Sequence, residues 1–355
     1  MSDIAAADQW LLFNIREVGY FKVNYDKKNW RMLIDQLQRD HTVIHTANRA
    51  QLIDDALDLA QAGQLDYETA LSAISYLERE LDFLPWDAAF DNLDFLNTQL
   101  KRSPGYGLFQ RFVLKLIKPL YERLGFDERP TDSHVDHETR DSLITWACEM
   151  GHPDCLKKSV EKFKQWMADP DNPSIIPANI KGNVYCTAIS EGGLEEWEFA
   201  WGRYNASNVA SEKQRLLVSL TCTKKIWILT RLLTWLVTPG SGIRVQDGTS
   251  VFRAVAANAV GRYVAWDFLR DNLPKIVETY ATGIFAFPRF IGTLKEGYNT
   301  RLDLEQLEQF AEKNKEHLTE AKREMQQVIE HATANVAWME KNYDTIISWL
   351  EKQKG

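Results

Sequence analysis

The residues able to do chemistry are few. The chain holds seven histidines and four cysteines. His41 and His45 are four apart, a spacing that puts two imidazoles on one face if the segment is helical. The zinc-protease motif with that spacing also needs a Glu directly after the first His as general base. Thr42 stands there instead, and Thr42, Val43 and Ile44 are β-branched, which disfavours a helix. His41 and His45 therefore read as loop histidines. His134 and His137 read as lying in a polar loop, 131–139, with no cysteine nearby, and His152 belongs to the turn Gly151-His152-Pro153. There is no Gly-x-Ser-x-Gly elbow, phosphate loop or dinucleotide fingerprint. Pro239-Gly240-Ser241-Gly242 reads as a plain loop. No catalytic residue and no metal ligand is assigned to this chain.

The cysteines are Cys148, Cys155, Cys186 and Cys222. Zinc sites draw on pairs two to four residues apart, and spacings of 7 and 36 do not match. Two readings fit the spacing. Four buried thiols are one, since cysteine packs as a small apolar residue. Sequence-local bridges, Cys148–Cys155 and Cys186–Cys222, are the other. Asn205-Ala206-Ser207 is an N-glycosylation acceptor triplet; Asn172-Pro173-Ser174 is excluded by its proline. Twelve tryptophans are many. Trp197 and Trp201 are one helical turn apart, and as a set the indoles read as large side chains filling gaps between helices.

The elements that must position these residues are mostly helices. Ala70, Ile74, Leu77 and Leu81 repeat at three and four residues, as do Phe109, Phe112/Val113, Leu116/Ile117, Leu120 and Leu124. The last stripe is Val336, Met339, Tyr343, Ile346 and Leu350. Breakers fall between stripes, at Gly63, Pro85, 103–105, 125–130, 151–153, 170–173, 192–193 and 239–242. This predicts roughly sixteen to eighteen short helices joined by short loops. The start of the chain differs. Phe21, Val23 and Tyr25 alternate with Tyr20, Lys22 and Asn24, a period of two that predicts a pair of strands. Two strands alone are marginal in water, so the pair should rest on the helices or complete a sheet formed elsewhere. The fold class expected is all-α: a HEAT/armadillo-like superhelix of paired antiparallel helices over 27–355, preceded over 1–26 by a short β-hairpin.

The 355 residues suffice for about two domains or one long repeat array. Apolar residues at 45% and charged residues at 26% are ordinary for a folded protein and exclude disorder as its main state. Eighteen Gly and eleven Pro are fewer than average usage supplies, in keeping with helices. A net charge of −8 argues against a nucleic-acid partner. Met1-Ser2-Asp3-Ile4 does not open a secretion signal. The most apolar run, 226–237, is too short to span a membrane and reads as a buried helix.

Several blocks carry a family resemblance. Trp10-Leu-Leu-Phe-Asn14, Gly19-Tyr-Phe-Lys-Val-Asn-Tyr-Asp26 and Asn29-Trp30 resemble the junction between a small β-sandwich and the C-terminal helical domain of aminopeptidase N-type (gluzincin) zinc aminopeptidases. Asn48-Arg-Ala-Gln-Leu-Ile-Asp-Asp-Ala56, Leu84-Pro-Trp-Asp-Ala-Ala89 and Glu195-Glu-Trp-Glu-Phe-Ala-Trp201 continue the match. Val264-Ala-Trp-Asp-Phe268 and Ala334-Asn-Val-Ala-Trp338 extend it to nearly the whole chain.

The resemblance implies a HEAT-like domain that caps an active-site cleft, admits peptides and supports homodimers. It implies a partner catalytic domain carrying the zinc, and a site on the extracellular face of the plasma membrane, attached through a lipid anchor or N-terminal span outside this chain. It also implies the pairings Cys148–Cys155 and Cys186–Cys222, which occur in cell-surface members, and a glycan at Asn205. Residues 1–26 would be the last strands of the sandwich. The family's His-Glu-x-x-His helix, its further Glu ligand, its Gly-x-Met-Glu-Asn motif and its transition-state Tyr are absent from this sequence. No catalytic residue carries over, and no cofactor is expected in this chain. A stand-alone helical scaffold that binds a protein partner is the competing reading.

Overall fold

A computed structural model describes residues 9–280, 286–295 and 297–353. The expectations for residues 1–8, including the start of the hairpin segment, lie outside the described residues. The chain divides into two compact units. One runs to His152 and takes in the chain from Lys341 on; the other is Pro153–Glu340. Among the described residues the regular structure is helical, with no strand.

The first unit is built on α1 (Lys27–Asp40), α2 (Thr46–Gln61), α3 (Tyr67–Ile74), α4 (Phe83–Leu100), α5 (Tyr106–Leu124) and α6 (His134–Glu149). Side chains start these helices where backbone N–H groups lack partners. Asp26 accepts from Asn29 N at 2.8 Å, and Asp66 from Thr69 N at 2.8 Å. Helix α2 lies against α3 and α4, burying Leu52, Ile53, Ala56 and Leu57 with Leu71, Ile74 and Leu93. Between α2 and α3 the chain turns at Gly63, where φ is +73° and a Cβ would be strained.

The second unit comprises α7 (Pro153–Ala168), α8 (Lys181–Glu191), α9 (Leu194–Ala206), α10 (Ala210–Ser219), α11 (Ile226–Trp235), α12 (Val245–Ala257), α13 (Gly261–Tyr280), α14 (Ala286–Gly292) and α15 (Arg301–Lys313). The final helix, α16 (Lys322–Lys352), begins here and carries the chain past the boundary. Helices α7 and α8 pack together, as do α9 with α10, and α12 with α13 and α14. The apolar stripes read from the sequence are the buried faces: Phe109, Val113, Leu116, Ile117 and Leu120 on α5 are fully buried, and so are Leu229, Leu232 and Leu233 on α11.

Four expectations are corrected. First, residues 9–26 hold no paired strands. Residues 15–17 form a 3-10 turn, and 22–26 are extended but unpaired with any strand. The alternation survives locally, with Val23 and Tyr25 half-buried and Lys22 and Asn24 exposed. What replaces the ladder is a set of side chains on α1 and α2, described below. Second, His134 and His137 are in α6. Ser133 and Asp136 form a reciprocal capping box, with Asp136 N donating to Ser133 Oγ at 3.1 Å and Ser133 N to Asp136 Oδ2 at 3.0 Å. Third, Pro85 does not break α4. It sits in the first turn, where a missing N–H costs nothing. Fourth, the run 226–237 is buried only on one side, for Ile226 and Trp227 are exposed.

Candidate functional site

The most developed polar site lies where the segment 11–25 meets α1 and α2. Asn48, Gln51 and Asp55 stand at i, i+3 and i+7 on α2, hence on one face. Each is about 1% exposed. Buried amides and carboxylates need partners, and here the partners are backbone groups of the extended segment. Arg16 N donates to Asn48 Oδ1 at 3.0 Å, and Asn48 Nδ2 donates to Asn14 O at 3.3 Å. Val23 N donates to Asp55 Oδ2 at 3.1 Å. From α1, Asn29 exchanges two bonds with Leu11: Leu11 N to Oδ1 at 2.7 Å, and Nδ2 to Leu11 O at 2.8 Å. Phe13 N donates to Tyr25 Oη at 3.0 Å, and Asn24 Nδ2 to Gln64 O at 3.1 Å. Side-chain amides thus take the place of a neighbouring strand.

Charge reinforces the row. Lys22 Nζ pairs with Asp54 and with Asp58, the latter at 2.8 Å. Burial alone would lower the Lys22 pKa, but bonds to Asp54 and Asp58 outweigh it and hold the ammonium above its ordinary value. For Asp55 burial is the largest cause and raises the carboxyl to about 6; the Val23 N–H, Lys22 and Gln51 oppose it. Burial likewise raises Tyr25 above its ordinary value.

The same segment leaves apolar surface uncovered. Phe13, Ile15, Val18, Tyr20 and Phe21 are all exposed within nine residues. The non-glycine residues with left-handed φ among those described, Asn14, Arg16 and Glu17, are also here.

On another face of α2, Arg49 is buried with Glu80. Nε donates to Glu80 Oε2 at 2.6 Å, Nη2 to Oε1 at 3.2 Å, and Nη1 to Ile44 O at 2.7 Å. Glu80 Oε1 also accepts from Leu81 N and Asp82 N, each at 3.0 Å. Both charges are thus paired and saturated, as burial requires. This cluster pins the approach to α4 and has no open face for a ligand.

The residues singled out from the sequence are spread over both units. His41 lies in a 3-10 turn with Nε2 4.0 Å from Glu80 Oε1. His45 caps α2, its Nδ1 accepting from Ala47 N at 3.2 Å. The two do not share a helix face. Among the described residues no group of three or more His, Cys, Asp or Glu is placed to hold a metal ion. No described helix is long and apolar enough to cross a membrane.

Cys186 and Cys222 form a disulfide with Cα atoms 5.3 Å apart. Cys148 and Cys155 are also disulfide-bonded, and no cysteine is free. Asn205 is exposed at the end of α9. Trp197, Trp201 and Trp235 stack in one cluster, with the Arg231 guanidinium 4.4 Å from the Trp197 centroid and 5.2 Å from that of Trp235. Arg231 Nη2 is held by Glu198 at 2.8 Å. The tryptophans are thus mainly core, as read from the sequence, though Trp227 is 53% exposed. Sequence reasoning gave no role to Asn29, Asn48, Gln51 and Asp55. The helical spacing of Asn48, Gln51 and Asp55 was visible, but not that the segment 11–25 lies over them.

Among the described residues the chain is helical, and its first residues lie against α1 and α2. The comparisons give its family. Residues 10–334 match the ERAP1-like C-terminal domain, and the chain belongs to that family. It is 35% identical over 351 residues to aminopeptidase N of Homo sapiens and 36% identical over 352 residues to that of Rattus norvegicus, each match covering 97% of this chain and 36% of the relative. It is 36% identical over 349 residues to the thyrotropin-releasing hormone-degrading ectoenzyme of Rattus norvegicus, covering 97% of this chain and 32% of that protein. The chain thus spans about a third of the length of these relatives.

Proposed function

We propose that this chain is the non-catalytic C-terminal domain of a cell-surface zinc aminopeptidase that removes N-terminal residues from peptides. The match to aminopeptidase N along 97% of the chain carries the reading. In this reading the helices form a HEAT-like superhelix that caps the active-site cleft, controls peptide entry at a concave face and supports a homodimer. The zinc belongs to the catalytic domain of the parent protein. Residues up to 26 would complete a preceding β-sandwich, pairing as strands only beside that domain, and residues 27–355 are the helical domain.

The docking row supports this division of labour. Phe13, Ile15, Val18, Tyr20 and Phe21 are exposed apolar side chains at the leading edge, a concentration that isolated surface residues do not show. A preceding domain would cover them and relieve the left-handed turn at 14–17. The location follows the same line: a disulfide-bonded chain suits an oxidising compartment, and one relative is named an ectoenzyme. Asn205, exposed on α9, would carry a glycan there.

The test uses the parent protein secreted from animal cells. It should hydrolyse an aminoacyl-anilide, and thiol counting under denaturing, non-reducing conditions should find none of Cys148, Cys155, Cys186 and Cys222 free. Four free thiols in these positions, with no hydrolysis, would overturn the reading and favour a helical scaffold that binds a protein partner.

A further inference from the structure

The two disulfides differ in how far solvent reaches them. Cys148 and Cys155 are 8% and 0% exposed. Cys186 and Cys222 are both part-exposed. Cys186 lies in the middle of α8, where the helix covers its own backbone, so the surface exposed at that position is Cβ and Sγ. Exchange begins when a thiolate reaches a sulfur of the bridge, and access therefore decides which bridge reacts.

The surroundings favour one direction of attack. Cys222 is followed by Lys224 and Lys225, both exposed, and by the N-terminus of α11 at Ile226. Positive charge and a helix N-terminus lower a cysteine's pKa, and the sulfur with the lower pKa leaves faster. Cys222 is therefore the better leaving group.

The bridge can also open without releasing the elements it joins. It ties α8 to the 3-10 turn 220–222 across 36 residues. That turn is held independently of it. Trp197 Nε1 donates to Leu220 O at 3.0 Å, and Asn258 Nδ2 donates to Thr221 O at 2.8 Å and to Thr223 O at 3.0 Å. On the other side, Val184, Tyr185, Ala188 and Ile189 anchor α8 in the core, and Glu191 at its end pairs with Lys224 at 2.6 Å. The two sulfurs would stay opposed after reduction, ready to close again.

We propose that Cys186–Cys222 is a reversible thiol–disulfide exchange site for a dithiol protein of the Cys-x-x-Cys class, and that Cys148–Cys155 is purely structural. A thiolate of the dithiol attacks Cys186 Sγ and forms a mixed disulfide, and Cys222 leaves as a thiolate that takes up a proton. The second thiol of the dithiol then loses its proton and attacks its neighbour's sulfur in the mixed disulfide. Cys186 leaves and is protonated as the dithiol closes to its own disulfide. Two electrons and two protons thus pass from the dithiol to the bridge. This chemistry is independent of any peptidase activity.

The full chain, secreted from animal cells with all four cysteines oxidised, is treated under native conditions with thioredoxin, its reductase and NADPH. Freed thiols are alkylated with one reagent. After denaturation and full reduction the remainder take a heavier one, and peptide masses give the open fraction at each cysteine. Cys186 and Cys222 should open at least about tenfold faster than Cys148 and Cys155. Similar rates for the two pairs, or no opening of Cys186–Cys222, would overturn the proposal. With this bridge open, the helical circular dichroism should be kept while the thermal midpoint falls by about 5–10 °C, and oxidised glutathione should restore the midpoint. Loss of helix on opening, or failure to reclose between Cys186 and Cys222, overturns the reversible site. Thioredoxin lacking its second cysteine should be trapped on Cys186; trapping on Cys222 contradicts the step as written.

Discussion

Asp55 is the residue where the folded chain departs most clearly from an exposed carboxylate. It is buried on α2, bonded to Val23 N and Gln51, and its pKa is raised to about 6 by burial. The unfolded chain would titrate near the ordinary 3.8. A raised carboxyl pKa means that the folded state takes up its proton first as pH falls. The charged form therefore weakens folding above about pH 6, and that penalty is relieved between about 6 and 3.8. Asp55→Asn keeps an oxygen for the Val23 N–H and removes the charge. It should stabilise the chain by about 1–2 kcal/mol at pH 7.5, an advantage that fades below pH 5. Urea midpoints at the two pH values check this; an Asn variant less stable at pH 7.5 and indifferent to pH would contradict it. Such a residue is hard to read from sequence, because Asp beside Asp54 looks like a solvated surface pair. Only the extended segment lying over it turns the carboxylate into a buried acceptor.

At the scale of elements, periodicity carried most of the fold. Apolar stripes at three and four residues became buried helix faces on α2, α5, α11 and α16, because burying one stripe is what keeps a short helix formed in water. The misreadings came where side chains, not backbone ladders, close the accounts of N–H and C=O groups. A capping box started α6 within a polar stretch, and the amides of Asn29 and Asn48 took the place of a second strand over residues 11–16. Helix α11 shows how a single element divides. Its apolar run looked uniformly buried, yet its first turn exposes Ile226 and Trp227, while Arg231 one turn on is drawn over the indoles by cation–π attraction. Trp197 on α9 is fully buried, with Nε1 donating to Leu220 O at 3.0 Å. Trp197→Ala should therefore cost about 3–5 kcal/mol through lost packing, and Trp227→Ala under about 1 kcal/mol. Chemical unfolding of the two variants separates them, and equal losses would contradict the packing described here.

For the molecule as a whole, the division falls at His152–Pro153 and again at Glu340–Lys341, so its two ends belong to one unit. The sequence suggested about two domains by length and one helical array by pattern; the first boundary falls at the breaker Gly151-His152-Pro153, which looked like any other turn between helices. Seven histidines are scattered among a cap, a turn and helices, and the cysteines are bound in disulfides. On the proposed reading, a chain that covers about a third of aminopeptidase N depends on a neighbouring domain for catalysis. The direct test is to purify the 355-residue chain beside its full-length parent, then measure bound zinc and hydrolysis of an aminoacyl-anilide in both. The account predicts about one zinc and steady turnover for the parent, with neither for the chain alone. Stoichiometric zinc and turnover from the isolated chain would contradict it.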